Sequence, residues 1–564
     1  MKKPLAVAAL SAVAICALRA QTITGDWLGT LHVGPAELRL VLHITAADAG
    51  FKGTMDSIDQ PAANGTPLDS ISLKDSKLTF AVAAVHGSYE GTVNADASAI
   101  TGTWTQKQTF PLEFRRPPAG FKEMHKPAKP SEIDGAWMGT LDMKLIKLRV
   151  IFHLINTEDG LTATLDSPDQ GAMGLPATSV ARDGKSVTIT LKQIAGEFTG
   201  ELNPVLDAIE GSWTQAGNTT PLNLTRVKDA AALERKRPQT PARPYPYRSE
   251  DVTYENKSAG ITLAATFTVP QGKGPFPAVV LITGSGPQDR DESLLGHKPF
   301  LVLADYLTRH GIAVLRADDR GTAKSGGDFT SATTADFASD AEAGVAWLKT
   351  RSEGDPQRIG LIGHSEGGIV APMVAARNPD VAFIVLMAGP GVSLAQILVA
   401  QQRLILQASG MSKEEVDKKA EQQRAMLKLV REEKDNAALE KKMKQQFAGV
   451  VPDDQMGVQA KMIGSPWFRW LLDYDPAATL RKLTCPVLAI NGEKDLQVPP
   501  QQNLPPIRTA LEQGGNRDFE VDELPGLNHL FQTAKTGALS EYAEIEETIS
   551  PVALDKISSW ILKH

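Results

Sequence analysis

Two hydrophobic periods divide the chain. Up to about residue 226, apolar and polar positions alternate over short runs: Leu38, Leu40 and Leu42 enclose Arg39, and Val187, Ile189 and Leu191 enclose Thr188 and Thr190. A period of two, broken roughly every 8–12 residues by Gly, Asp and Pro, predicts the short strands of a small antiparallel sandwich or barrel. From residue 249 the apolar runs become continuous and strand-length, at 277–283, 312–316, 358–362, 381–386 and 486–490, with amphipathic stretches such as 336–351 between them. That alternation predicts buried parallel strands joined by crossover helices. One interval breaks it, because about a hundred residues separate Leu386 from Pro486. A helical period covers 393–409, and Ser412 with Glu415 forms a capping box before a charged stretch that runs to Phe447. An aromatic cluster, Trp467, Phe468 and Trp470, closes the interval. A helical insertion there, over about 391–475, is expected to be a lid.

The alternating half repeats itself. Gly25-Asp-Trp27-Leu-Gly29-Thr-Leu31 returns as Gly135-Ala-Trp137-Met-Gly139-Thr-Leu141, and 14 of 36 positions match without gaps between 25–60 and 135–170. Chance would match about two or three, so the pattern is a duplication. His43 and His153 fall at equivalent places, as do Trp27 and Trp137. Packing is the expected role of all four, with a ligand-holding barrel mouth as the sharper alternative. Proline-rich, charged segments divide the units. The expected layout is a repeat over 21–116, a second over 131–226, a spacer over 227–248 and an α/β domain over 249–564.

Lys2 and Lys3 precede a short apolar run to Leu18, and Ala20 follows. Residues 1–20 therefore read as an export signal, too short to span a bilayer, and the protein is expected to be secreted or periplasmic. No later segment is long and apolar enough to cross. Without those twenty residues 56 basic stand against 66 acidic residues. That surplus of acid excludes nucleic acid as a partner. Cys485 is the one thiol beyond the signal, so no internal disulfide forms. Cys485 itself reads as a small buried apolar residue. The ten histidines show no metal-ligand spacing, so neither metal nor cofactor is expected.

The chemistry gathers in the second half. Gly363-His364-Ser365-Glu366-Gly367 lies between a strand pattern and a helical one, the context of a nucleophile elbow. Ser365 is the expected nucleophile, and the glycines clear room for its sharp turn. A hydroxyl needs a base, and the base needs an acid to orient it. Only His529 and the terminal His564 lie downstream, and chain ends fray, which leaves His529. The loop after the strand at 486–490 offers Glu493 and Asp495; Asp495 is favoured because it precedes the apolar segment 496–498. Backbone N–H groups of Glu366 and Ser285 are the expected oxyanion donors, Ser285 lying in the small-residue loop Thr283-Gly284-Ser285-Gly286-Pro287. Trp467, Phe468 and Trp470 are candidates for the substrate pocket, with core packing as the alternative. Arg320, in Asp319-Arg320-Gly321, is expected to brace neighbouring loops.

On these motifs, together with Asp289-Arg290-Asp291, residues 249–564 resemble the bacterial α/β-hydrolase esterases often labelled serine aminopeptidase-like or S33-like. Two positions depart from that pattern: Thr283 replaces a common histidine and Ala323 a common glycine. Joined to the duplicated alternating half and the helical interval, the resemblance gives the expected architecture: a multi-domain protein in which two repeated antiparallel all-β domains precede an α/β-hydrolase domain with a helical lid. It implies a carboxylesterase acting on small-molecule esters with short or medium acyl chains. A peptidase with the same triad is the nearest alternative. A glycan- or ligand-binding protein working through the β-repeats is the alternative from another class.

Overall fold

The computed structural model describes residues 23–33, 36–47, 50–58, 65–85, 87–106, 109–118, 128–143, 147–170, 172–215, 217–228, 235–447 and 453–564. The export signal expected over 1–20 lies outside them. The chain divides into two compact units, with the boundary between Glu234 and Arg235.

The first unit holds two antiparallel sheets. One is a nine-strand meander from Gly25–Val33 to Thr109–Arg115, and its first and last strands pair at Leu28↔Arg115 and Gly29↔Phe114. Its free edges are the short strands Thr66–Pro67 and Ser70–Lys74. The second sheet follows the same order from Gly135–Asp142 to Leu224–Val227, with Asn218–Pro221 as an added side strand. Pairing the first strand with the last curls each sheet into a half-barrel instead of stacking two layers. Strand Gly87–Val93 shows why the period of two works, since alternate residues are buried along it.

The two tryptophans have one role in both sheets. Trp27 and Trp137 are fully buried, and their indole N–H groups donate to the carbonyls of Ile23 and Ile133 at 2.8 and 2.9 Å. Arg116 and Arg226 lie over the same two rings. His43 and His153 are half-buried at the sheet surface and bound to carboxylates: His43 to Asp26 and Asp56, His153 to Asp166.

In the second unit eight strands form one sheet. Their spatial order is Arg248–Asn256, Ile261–Val269, Ala313–Ala317, Phe276–Ile282, Gly354–His364, Phe383–Met387, Val487–Gly492 and Phe519–Leu524. The first two strands are antiparallel, and the pattern at 249 onward had not revealed them; the other six run parallel. Alternate residues of each central strand feed opposite layers. Val280, Ile282 and Leu361 join the core under helices Thr334–Leu348 and Pro500–Gln513, while Val279, Leu281 and Ile362 join that under Pro299–Arg309 and Pro551–Lys563. A strand covered on both faces must be apolar throughout, hence the continuous runs.

The segment from Arg235, expected as part of a spacer, is fastened to this unit: Arg237 donates to the carbonyls of Leu295 and Ala543, and Gln239 to that of Ile549. Between Phe383–Met387 and Val487–Gly492 lie the helices of the long interval, Leu394–Ala408 to Pro476–Leu480, with the Ser412–Glu415 capping box in place. Cys485 is partly buried against the core, and burial pushes its thiol up to about 11. Among the described residues no helix is long and apolar enough to cross a membrane.

Because Trp27 and Trp137 anchor equivalent cores, Trp27→Ala and Trp137→Ala should each cost about 3–5 kcal/mol. Urea unfolding followed by far-UV circular dichroism checks this, and a loss below about 1 kcal/mol for either would contradict the anchoring role.

Candidate active site

The parallel strand Gly354–His364 delivers Ser365 to the carboxyl edge of the sheet, and helix Gly367–Ala375 carries the chain away. Ser365 itself takes the left-handed conformation, φ +52°, with its N–H donating to the carbonyl of Met387 at 2.8 Å. Its neighbours are glycines because the backbone crowds them. A Cβ on Gly363 would stand 2.0 Å from the Gly367 carbonyl oxygen, one on Gly367 2.3 Å from that of Ile282, and one on Gly368 2.5 Å from the Gly389 Cα. Strain at the serine is therefore enforced by contact on either side.

His529 Nδ1 lies 2.7 Å from Asp495 Oδ2. The other oxygen, Oδ1, accepts from the N–H groups of Gln497 and Val498, both at 2.8 Å. Asp495 is thus buried, hydrogen-bonded and aligned on His529 Nδ1, an arrangement that orients the ring with Nε2 as its other nitrogen. Glu493, the other candidate, braces a turn instead, accepting from the Gly526 N–H. Asn528 holds the histidine loop by accepting from Leu530 and Gln532 N–H.

Ser365 and His529 open onto one cavity of about 420 Å³, and Ser285, Glu366, Trp467 and Phe468 are also in its wall. Trp470 is not among its lining residues: on the short helix Pro466–Asp473 its ring stacks on Tyr474, 4.9 Å between centroids. The apolar wall comes from Ile369 of the elbow helix and from Leu394, Ile397 and Leu471 of the inserted helices. Gly284, next to Ser285, has its N–H engaged by Glu292 Oε1 at 2.8 Å, so it is not available to an oxyanion. The Glu366 N–H sits at the amino end of a helix, where the backbone dipole favours negative charge.

Glu366 has a second occupation. Its Oε1 accepts from the Thr334 hydroxyl at 2.6 Å and from the Trp467 indole at 2.8 Å, and burial pushes its carboxyl above the ordinary range. The carboxyl next to Ser365 therefore orients Trp467 in the cavity wall. Thr283, which replaces a histidine of the expected pattern, donates to Asp319 Oδ1 at 2.8 Å, while Gln288 N–H donates to Oδ2. Burial pushes the Asp319 carboxyl up to about 8. Arg320 braces helix Thr334–Leu348 through Asp340 and the Asp336 carbonyl.

Two residues of the site escaped the sequence reading. Glu292 closes the Asp289-Arg290-Asp291 run, and His364 fills a variable place in the elbow pentapeptide; both are buried and lie 2.9 Å apart. The available signal was an extra acid after that run and an ionisable residue beside the nucleophile.

Asp319 gives a pH test. A carboxyl whose folded value lies above its unfolded one binds protons on folding, so stability falls as pH rises from near 3.8 through about 8. Asp319→Asn removes that slope. Thermal melts between pH 5 and 9 should show the variant gaining on wild type as pH rises, and parallel curves would contradict the assignment.

A family model described as X-Pro dipeptidyl-peptidase (S15 family) matches residues 259–505. The motif resemblance had pointed to S33-like proteins, so agreement lies at the level of the α/β-hydrolase type. Esterase EstD of Thermotoga maritima is 28% identical over 322 residues, 57% of this chain and 69% of that protein. Among solved structures, a hypothetical protein of Pseudomonas aeruginosa aligns with TM-score 0.37 at 17% identity, over 59% of this chain and 98% of its own. An esterase of Pyrococcus furiosus aligns with TM-score 0.34 at 16% identity, over 57% and 91%. The sheet, the strained serine elbow and the matched model agree: the second unit is a hydrolase of the α/β-hydrolase type.

Proposed function

We propose that this chain is an exported serine carboxylesterase cleaving esters of short- to medium-chain acyl groups. The observation that carries the reading is the Asp495–His529 contact at 2.7 Å, with His529 opening onto the same cavity as the strained Ser365. Ser365 Oγ attacks the ester carbonyl carbon while His529 Nε2 takes its proton and Asp495 balances the imidazolium. The N–H groups of Ser285 and Glu366 hold the tetrahedral oxyanion. His529 returns the proton to the departing alkoxide, leaving an acyl-enzyme. Water then attacks that ester, with His529 again as base, and the carboxylic acid departs as Ser365 recovers its proton.

The cavity supports the acyl preference. It is of ligand-binding size and mostly apolar, and no lysine or arginine stands among its described lining residues, so it suits a neutral acyl chain. The inserted helices, which supply Leu394, Ile397 and Leu471, act as the lid.

The match to the S15 model favours a second reading, a peptidase with the same triad. Such an enzyme needs an ionised carboxylate for the substrate amino terminus. Glu366 is a poor anchor, because burial disfavours its charge and Thr334 and Trp467 already occupy one oxygen. The ester reading is therefore preferred.

p-Nitrophenyl esters from acetate to palmitate, assayed beside Xaa-Pro and aminoacyl anilides, separate the two. Ester turnover should peak at short to medium chains and fall by roughly a thousandfold or more in Ser365→Ala. Anilide turnover exceeding ester turnover would replace the esterase by the peptidase. Asp495→Asn should lower kcat by about 10³–10⁴ while Glu493→Gln stays within about threefold; the reverse order would move the acid to Glu493.

A further inference from the structure

Beside the triad stands a second pair of ionisable side chains that the reaction above does not use. Glu292 is buried in the loop that follows strand Phe276–Ile282, at φ +52°. Its Oε1 accepts from the Gly284 N–H at 2.8 Å and lies 2.9 Å from His364 Nδ1. The other ring nitrogen, His364 Nε2, lies 3.1 Å from the backbone carbonyl oxygen of His529. A carbonyl oxygen only accepts, so Nε2 carries a proton. Nδ1 faces a carboxyl oxygen that already accepts from Gly284, so both ring nitrogens point at acceptor oxygens, the geometry that suits an imidazolium.

Both partners are more than nine-tenths buried. Burial works against a charged ring, but the Glu292 carboxylate outweighs it and holds His364 above the ordinary imidazole range. The other groups facing the ring are the His529 imidazole, 4.9 Å away between centroids, the Phe531 ring at 6.4 Å, and the Asp495 carboxylate, whose field also favours the charged ring. A buried ion pair is a poor source of stability, and its best-attested use is to fix geometry.

We infer that His364 and Glu292 form a positioning clamp joining three pieces that must stay in register during acyl transfer: the end of the nucleophile strand, the loop carrying the Ser285 N–H, and the loop carrying His529. Fixing the Gly284 N–H orients the neighbouring peptide and so aims the Ser285 donor. Fixing the His529 carbonyl limits drift of its ring relative to Ser365. The clamp also balances charge. When His529 takes the serine proton, two imidazolium rings lie side by side, and Asp495 and Glu292 supply one carboxylate for each. The inference rests on the Ser365–His529–Asp495 reading.

The test uses the full chain with Glu292→Gln, His364→Gln and the double variant. Glu292→Gln is nearly isosteric and keeps an acceptor for Gly284, so it carries the test even if His364→Gln fails to fold. Nitrogen-15 spectra of histidine-labelled protein at pH 7.5 should show, besides any signal of His43 between its two carboxylates, a doubly protonated ring that is lost in His364→Gln and turns neutral in Glu292→Gln. For a short-chain p-nitrophenyl ester, kcat should fall about 10–100-fold in each single variant, since small misplacements of a catalytic group cost that much, with KM within about threefold. The double variant should be no worse than the poorer single, because the pair acts as a unit. Glu292→Gln should also lose kcat as pH rises through the ordinary imidazole range, where wild type does not. A neutral His364 ring in wild type, unchanged kcat in folded Glu292→Gln, or additive losses in the double variant would each overturn the clamp. Ester turnover that survives Ser365→Ala, or is absent in wild type, would instead sink the hydrolase reading and the positioning role with it, while the nitrogen spectra still report the ring's charge.

Discussion

The catalytic face depends on a crowding of backbone around one serine. Strand Gly354–His364 and helix Gly367–Ala375 meet with so little clearance that added methyl groups at Gly363 or Gly367 would penetrate neighbouring carbonyls. Ser365 has to turn through the left-handed region to make that junction. The same turn raises its hydroxyl above the sheet edge and places the Glu366 N–H at the start of the helix. Position, strain and a helix dipole thus come from one steric condition, and the adjoining loops are arranged around it.

Around that elbow, identical functional groups acquire different properties from their surroundings. Asp495 receives two backbone N–H bonds on one oxygen and faces the histidine with the other, so its carboxyl is held in one orientation. Glu366, buried, and Asp319, partly buried, accept from neutral donors, and both are driven toward the protonated form. Glu292 faces a histidine and a backbone amide. Environment distinguishes groups that sequence writes with the same letters.

This distinction marks what was legible beforehand. Elements with a strong period could be read directly: five of the six parallel strands, helix Thr334–Leu348 and the helices beginning at Leu394 and Lys413 all lie close to the expected segments. The antiparallel strands Arg248–Asn256 and Ile261–Val269 were missed, because the first of them is largely polar and the second offered no clean alternation. Ser365, Asp495 and His529 could be proposed as a set because chain order and loop position constrain such a choice tightly, and Asp495 does lie 2.7 Å from His529. Trp470 could not be separated from Trp467 and Phe468, since which side of a short helix faces a cavity depends on how the insertion packs. His364 and Glu292 remained invisible because their significance lies in a contact spanning 72 residues of chain.

One bond also gives the protein an optical property. The Trp467 indole donates to the Glu366 carboxyl, which adjoins Ser365, while its ring forms part of the cavity wall. Indole emission responds to the polarity and hydrogen bonding around the ring, and both change when an acyl chain displaces solvent there. Of the eight tryptophans, this one therefore lies where filling of the cavity is read out as light, giving a native fluorophore for occupancy without an attached dye.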